Sequence, residues 1–488
     1  MSSANNFVIS NQNGYVKVSN TITGGILFYP KAGLLIQKLN DSSFALRIDT
    51  TMTVFERSEI EFPLSTDVDE LIEVLLRYTL SNDQVQVDGF GDTRVTSKTT
   101  LLDLKSTFGI SSLRDIVTEE NGGTVTNGVG GPEYVLAVNG ADSYARLRSV
   151  QRGEYMSGHS AEIGIGIRFE NANFDPGQTA RWGYFDGNNG FYFEYDDSGL
   201  WATVIRDGVI KERTNMQQFN QDNLDGTGPS GQLYNPTKGN IYQINFTWYG
   251  YGTINFVIVM SGTEFGALQR AYTVHNHIPM NSTSVANPNL PLWVELSNGS
   301  STTTGRQLYV AGRQFSIFGN PNFRYLRRVT SVYRLGFLFA QTAGFLPILS
   351  IRRKPGYLGN PIRLSSYDIG MNARILLQVR VGATLTGSSF GNVPDTTQDE
   401  TAIEVDTSAS ALTGGIVIYT ELNFPSAVED GGGKGKGKGN GGGNWGANIN
   451  TSELTYVLEE DSVVTIAASS YGDFDADIDF LLRVSEGW

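Results

Sequence analysis

Apolar and polar positions alternate with a period of two over long parts of this chain. Ile163, Ile165, Ile167 and Phe169 alternate with Gly164, Gly166 and Arg168. Tyr242, Ile244, Phe246 and Trp248 repeat the pattern, and Ile254, Phe256, Ile258 and Met260 repeat it again. Successive side chains of a strand point to opposite faces, so this period predicts half-buried strands. Turn-forming residues punctuate the runs: Asp186-Gly-Asn-Asn-Gly190 ahead of Phe191–Tyr195, Asp196-Asp-Ser-Gly199 ahead of Leu200–Arg206, and Asp207-Gly208 ahead of Val209-Ile-Lys. An Asp-Gly pair between strands is the signature of a two-residue type I′ hairpin. Further strand runs lie at Leu292–Leu296, Gln307–Val310 and Arg313–Phe318. Short strands in close succession, with no helix between them, predict an antiparallel β-sandwich at about residues 111–325.

The flanks read differently. Over Thr66–Thr79, Val68, Leu71, Ile72, Leu75 and Leu76 follow the spacing of an apolar helical stripe, and Thr66 with Asp69 resembles a capping box. Together with strand-like runs this predicts an N-terminal α+β region, residues 1–110. Leu101–Lys105 and Ser112–Val117 read as a short helix or a linker, and Asn121–Gly131 as a Gly-rich loop. Residues 326–488 read as a C-terminal β domain, with strands at Arg374–Val381, Gly415–Tyr419, Ser462–Ile466 and Phe480–Val484. It is interrupted by a Gly/Lys-rich run at 431–443, whose composition is flexible and solvated.

Composition narrows the function classes. At 488 residues the chain is long enough for roughly three domains. A net charge of −14 argues against nucleic acid as a partner, which needs a basic surface, and against a polybasic membrane binder. The longest apolar stretch, Leu335–Ile351, is broken by Gln341 and Pro347 and falls short of the about 20 residues of a membrane span. With no cysteine, disulfides, thiolate metal sites and cysteine nucleophiles are excluded. The first residues show neither a charged n-region nor an apolar h-region, so no signal peptide is expected.

The candidate chemistry is thin. The Gly/Lys run approximates a P-loop, but Gly439 stands where the Ser or Thr would be. Asp473, Asp475, Asp477 and Asp479 share one face if the segment is a strand, yet collinear carboxylates make no cation cage. Asp222–Gly228 lacks the spacing of a calcium loop. His275 and His277 point the same way on a strand, with no third ligand evident, and His159 stands apart. Asn-x-Ser/Thr triplets at Asn40, Asn245, Asn281, Asn298 and Asn450 read as chance matches without an export signal. No catalytic fingerprint is present, so no enzyme, cofactor or metal is expected. The aromatic set Trp182, Tyr184, Trp201, Trp248, Tyr249 and Tyr251 supplies the candidate contacts for a glycan or a subunit interface, where such rings are enriched.

Several long segments carry a resemblance: Ala180–Phe191, Leu224–Gly231, Ile241–Gly252, Asn287–Leu292 and Ala411–Val417. They resemble a family of virion structural proteins of tailed phages and related viruses, over most of residues 105–488. The resemblance implies a concanavalin-like, jelly-roll sandwich in the middle of a mainly β chain. It also implies a non-enzymatic subunit located in the virion, held by self-association as a homo-oligomer and by contacts to other virion proteins. The alternative is a glycan-binding module that attaches the virion to host surface glycan.

Overall fold

In the computed structural model, the described residues are 7–12, 15–20, 26–30, 34–40, 43–48, 51–56, 60–61 and 98–488, the last span excluding 130, 262–268, 303, 320–326, 340–343, 358, 399, 425–449, 461, 471–474 and 488. The helix expected over Thr66–Thr79 and the Gly/Lys run at 431–443 therefore lie outside the described residues. The chain is mainly β, and it divides into two compact units, Met1–Val95 and Thr96–Trp488.

Among the described residues the first unit carries two small sheets. One has the order β3-β2-β1-β7, built from β1 (Phe7–Gln12), β2 (Tyr15–Asn20), β3 (Ile26–Pro30) and β7 (Ile60–Glu61), with β7 parallel to β1. The other is the antiparallel meander β4 (Leu34–Asn40), β5 (Ser43–Ile48), β6 (Thr51–Glu56).

The second unit opens with a two-sheet antiparallel sandwich. Its eight-stranded sheet runs β10 (Thr124–Asn127), β11 (Tyr134–Asn139), β22 (Thr304–Phe318), β13 (Ala161–Phe169), β18 (Asn240–Phe246), β19 (Ile254–Ser261), β20 (Gln269–His277), and β8 (Lys98–Leu104) also pairs with β22. The seven-stranded sheet runs β17 (Val209–Asn215), β16 (Gly199–Arg206), β15 (Gly190–Asp196), β14 (Thr179–Phe185), β21 (Pro291–Ser297), β12 (Tyr144–Arg152), β9 (Asp115–Glu120). Alternate residues of facing strands fill the space between the sheets, among them Ile163, Ile165 and Ile167 from one and Ala180, Trp182 and Tyr184 from the other. Trp182 sits edge-on to Phe169 at 5.6 Å and to Tyr242 at 4.8 Å, the geometry that ring quadrupoles favour.

A second antiparallel sandwich follows. Its four-stranded sheet runs β23 (Arg327–Phe339), β34 (Ala476–Gly487), β25 (Ile362–Met371), β32 (Asn450–Val457). Its six-stranded sheet runs β28 (Gly391–Asn392), β29 (Ile403–Asp406), β24 (Leu346–Arg353), β33 (Val464–Ser470), β26 (Ile375–Val381), β31 (Ile416–Asn423). A small ribbon joins β27 (Thr384–Thr386) to β30 (Ala411–Thr413). Val332, Leu364, Tyr367, Ile375, Phe480 and Leu482 are among the fully buried residues of this second core.

Three local expectations are corrected. Leu101–Lys105 and Ser112–Val117 contribute to strands β8 and β9 and not to a helix: Leu102 and Leu104 share a parity that buries both against the sandwich. The Gly-rich segment at 121–131 contains β10, in which Val125 is buried. The two runs around residue 312 are one 15-residue strand, because Gly312 passes through the sheet without a turn. The Asp207-Gly208 hairpin forms as predicted, with φ of +50° and +73° and Arg206 paired to Val209.

Candidate functional site

The outer face of the seven-stranded sheet carries the densest chemistry on the sandwich. Strand register aligns one residue from each strand into a cross-strand row: Asn215, Trp201, Glu194, Arg181, Glu295, Arg146 and Thr118. Four consecutive members alternate acid and base. Cross-strand neighbours are the unit of sheet-surface stabilisation, and opposite charges side by side are favourable. With strands about 4.8 Å apart, the row extends roughly 29 Å.

The row is knit by hydrogen bonds. Arg181 donates from Nε to Glu194 Oε2 at 2.7 Å and from Nη1 to Glu295 Oε1 at 3.3 Å. Glu295 Oε2 also accepts from Tyr144 Oη at 2.7 Å and Trp293 Nε1 at 2.9 Å. Arg213 donates to Glu194 and, at 2.6 Å, to Asp196, which also accepts from Trp201 Nε1 at 2.8 Å. Three guanidinium groups lie over aromatic rings: Arg213 over Trp201 at 3.7 Å, Arg146 over Trp293 at 4.5 Å and Arg181 over Tyr192 at 5.8 Å. Beside the row, Gly183 stands between Tyr192 and Trp293 in register, and a Cβ there would fall 2.4 Å from Phe191 O.

The electrostatics follow from this packing. Burial pushes the Tyr192 phenol up to about 12, with Arg181 opposing the shift. Burial, then the neighbouring Glu295 carboxylate, raises the Tyr144 phenol as well. For Arg181, burial works against the charge, but Glu194 and Glu295 outweigh it and its pKa is raised. The carboxylate oxygens already accept from arginine, tyrosine or indole donors. The face is thus a rigid array of donors, acceptors and ring edges, suited to recognition.

The structure sorts the six aromatic candidates. Trp182 and Tyr184 are corrected: both are fully buried between the sheets, on the opposite parity from Arg181. Trp201 lies in the outer row beneath Arg213. Trp248 is partly buried against the core, edge-on to Tyr155 at 6.0 Å. Tyr249 and Tyr251 are exposed on the β18–β19 turn, and Tyr249 holds a φ of +37°. Sequence reading missed Arg146, Arg181, Glu194, Arg213, Trp293 and Glu295. The signal was present in the parity of Arg181-Trp-Gly-Tyr and Trp293-Val-Glu, where a charged residue marks the outward face.

Other candidates resolve into structural roles. His275 and His277 do point the same way, and each contacts one oxygen of Glu212 from β17, His275 Nε2 at 2.5 Å. Burial opposes ionisation of Glu212, but the two imidazole contacts outweigh it and hold its carboxyl well below the usual range. Among the described residues no group of three or more His, Cys, Asp or Glu side chains is placed to hold a metal ion. Asp222 is an internal cap, accepting from Leu224 N and Ser230 N, both at 2.9 Å. Asn298 is fully buried and donates to Gly140 O and Ser301 O. Of the aspartate series, Asp473 is outside the described residues, and Asp479 accepts from Gly336 N at 2.8 Å.

A second polar cluster lines the cleft between the two sandwiches, with Arg152, Glu154, Arg353, Arg363, Glu459 and Glu460. Arg152 pairs with Glu460, and Arg363 with Glu154 at 2.5 Å. Arg353 donates to the carbonyls of Tyr357, Asn360 and Leu458, and burial lowers its pKa to about 10.

No family model matches the chain, and no curated protein matches it. Among solved structures, similar folds include an endo-β-1,4-glucuronan lyase from the fungus Trichoderma reesei, 13% identical, covering 46% of this chain and 96% of that one, TM-score 0.30. A carbohydrate esterase of the Shiga toxin-encoding bacteriophage phi24B is 12% identical over 46% of this chain and 100% of that one, TM-score 0.26. Lectin I-B4 from Griffonia simplicifolia is 10% identical over 44% of this chain and 99% of that one, TM-score 0.28. Likenesses of this size carry no argument about function, which rests on the residues of this chain.

Proposed function

We propose that this chain is a non-enzymatic structural subunit of a virus particle, held in place by self-association and by contacts to neighbouring virion proteins. The observation that supports it is where large apolar side chains meet solvent. On the second sandwich, Val329, Tyr333, Leu335 and Leu338 are exposed on β23, and Ile416, Val417, Leu422 and Phe424 on or just after β31. Both strands end the order of their sheets. Exposed apolar residues gathered on sheet edges are a liability in a free monomer and mark surfaces that partners cover. The test is to purify particles from the natural source and locate the chain by mass spectrometry and imaging. Its absence from particles would refute the reading.

A second reading is favoured by the outer row of the seven-stranded sheet: attachment to host surface glycan. Arginine donors beside Trp201, which is only partly buried, suit a polyhydroxylated or acidic saccharide lying across the strands. A glycan array with the intact chain and the Arg181→Met and Trp201→Ala variants tests it. Binding that both variants retain would exclude that face.

A further inference from the structure

We infer that the cleft between the two sandwiches binds a small zwitterion, an α-amino acid with a compact apolar side chain, whose carboxylate meets Arg353 and whose ammonium meets Glu459. Both residues line one cavity of about 200 Å³. Both are more than nine-tenths buried, at 7% and 9% exposure. Taking a charge out of water is costly unless an opposite charge meets it. The other charges of the cleft are met: Glu460 takes Arg152 and, at 3.7 Å, Arg148, while Glu154 takes Arg363. Arg353 and Glu459 are the exceptions. Among the described residues Arg353 donates to three backbone carbonyls, those of Tyr357, Asn360 and Leu458, and to no carboxylate. Glu459 accepts from the neutral hydroxyl of Ser462 at 3.1 Å and, among the described residues, from no cation. Burial lowers the Arg353 pKa to about 10 and raises that of the Glu459 carboxyl, the directions that unpaired burial produces.

The local structure holds the two charges close together without letting them pair. Arg353 ends β24, and Glu459 follows just after the end of β32. The carbonyl that Arg353 reaches at 2.6 Å belongs to Leu458, the residue before Glu459, so the guanidinium sits beside the backbone that carries the carboxyl. Its carbonyl bonds fix it there, and Leu458 N in turn donates to Ile362 O at 2.8 Å. A ligand with a single charge satisfies one residue at the expense of the other. A lone anion meets the Glu459 carboxyl, and a lone cation meets Arg353 with Arg152 and Arg363 on the same wall. An α-amino acid carries both charges on one carbon, which matches two opposite groups set side by side. Size and lining narrow the class further. The cavity is smaller than the roughly 300–1,000 Å³ of pockets for drug-sized ligands, so it suits an amino acid and is too small for an oligosaccharide. Leu101 and Val150 from the first sandwich and Pro361 from the second supply an apolar wall for the side chain. The site goes beyond both readings above and depends on neither.

The test titrates the full chain by calorimetry with L-valine, with N-acetyl-L-valine, which lacks the ammonium, and with L-valinamide, which lacks the carboxylate. The expected result is one valine bound per chain, with each blocked analogue weaker by about tenfold or more, because a charged hydrogen bond is lost and its partner stays buried. N-acetyl-L-valine bound as tightly as L-valine would reveal a plain anion site and overturn the proposal. L-Valinamide bound as tightly would reveal a plain cation site and overturn it equally. Neither heat nor a shift in melting temperature with L-alanine, L-valine or L-leucine at millimolar concentration would also overturn it. The variant Glu459→Gln then places the effect. It keeps the side-chain size and an acceptor for Ser462, and is expected to retain the circular dichroism spectrum of the natural chain. It should bind L-valine about tenfold more weakly or worse, with affinity for N-acetyl-L-valine unchanged. Undiminished L-valine binding by this folded variant, or an equal loss for both ligands, would overturn the assignment of Glu459. The ligand series uses the natural chain, so it decides the question even where a variant fails to fold.

Discussion

Substitution of Gly208 isolates the conformational demand of a single turn. Asp207 and Gly208 form the two-residue loop between β16 and β17, with φ of +50° and +73°. A type I′ turn requires both central residues in the left-handed region. A Cβ added at Gly208 would find its nearest neighbour, Asn188 Oδ1, at 3.6 Å, an ordinary contact. No steric collision contributes, so the cost is the backbone penalty of holding an L-residue at positive φ. That penalty is about 1–2 kcal/mol for alanine, and greater for a β-branched residue, within the about 1–3 kcal/mol of a strained site. Asparagine visits this region more readily. The expected order of loss is therefore Gly208→Asn, then Gly208→Ala, then Gly208→Val. Gly190→Ala provides the contrast. Its φ is +145°, and a Cβ would lie 2.2 Å from Phe185 Cβ and 2.4 Å from Tyr184 O, so collision is added to strain and the loss should exceed that of Gly208→Val. Urea unfolding followed by tryptophan fluorescence gives the midpoints, and unchanged slopes permit the comparison. If Gly208→Val matched Gly208→Asn, or Gly190→Ala were the mildest of the set, the reasoning from φ and Cβ space would be wrong.

Other expectations follow from the same structure. Trp182→Ala should cost about 3–5 kcal/mol, since it empties a fully buried site between the sheets; denaturant unfolding measures it. Arg181→Met should cost more than Arg352→Met, because Arg181 serves two nearly buried carboxylates whereas the Arg352–Glu404 pair is more exposed, and surface pairs contribute about 1 kcal/mol or less. Glu212 has a folded pKa below its unfolded value, so its contribution is present above about pH 4.3 and is lost as pH falls further. Stability measured from pH 6 to pH 2 should therefore fall more steeply for the natural chain than for Glu212→Gln; parallel curves would refute this. Ending the chain before Ala476 should unfold the second sandwich, because β34 lies between β23 and β25, and proteolysis within residues 346–423 would report it.

Local patterns were legible where chemistry and period agreed. The alternation along β13, β18 and β19 and the Asp207-Gly208 turn needed no distant partner to be understood. Leu101-Leu-Asp-Leu was ambiguous because a short apolar run fits helix or strand equally, and its strand identity is set by β22, more than 200 residues away. The outer row was hidden for a related reason. Glu194, Arg181, Glu295 and Arg146 come from four strands scattered over the sequence, and register alone makes them neighbours. Likewise His275 and His277 were visible as a pair, but Glu212 reaches them from the edge strand of the other sheet. The error over Trp182 and Tyr184 was avoidable, since Arg181 between Ala180 and Trp182 marks which parity faces out.

The position of β22 in its sheet sets a timetable for synthesis. This strand is the neighbour of β8, β11 and β13 alike, yet it is the last of the sandwich strands to be made. Until it leaves the ribosome, β13 has one open side and β8 and β11 lack the strand that unites them. About 150 residues separate the end of β13 from the end of β22, so at translation rates of about 5–20 residues per second the open edge of β13 waits roughly 7–30 s for its partner. Over that interval the backbone donors and acceptors along that edge of β13 lack their final partners. Growth of this sandwich is thus a late, nearly all-at-once closure, and chaperones that shield exposed strands during translation should govern how much of the protein reaches its native state.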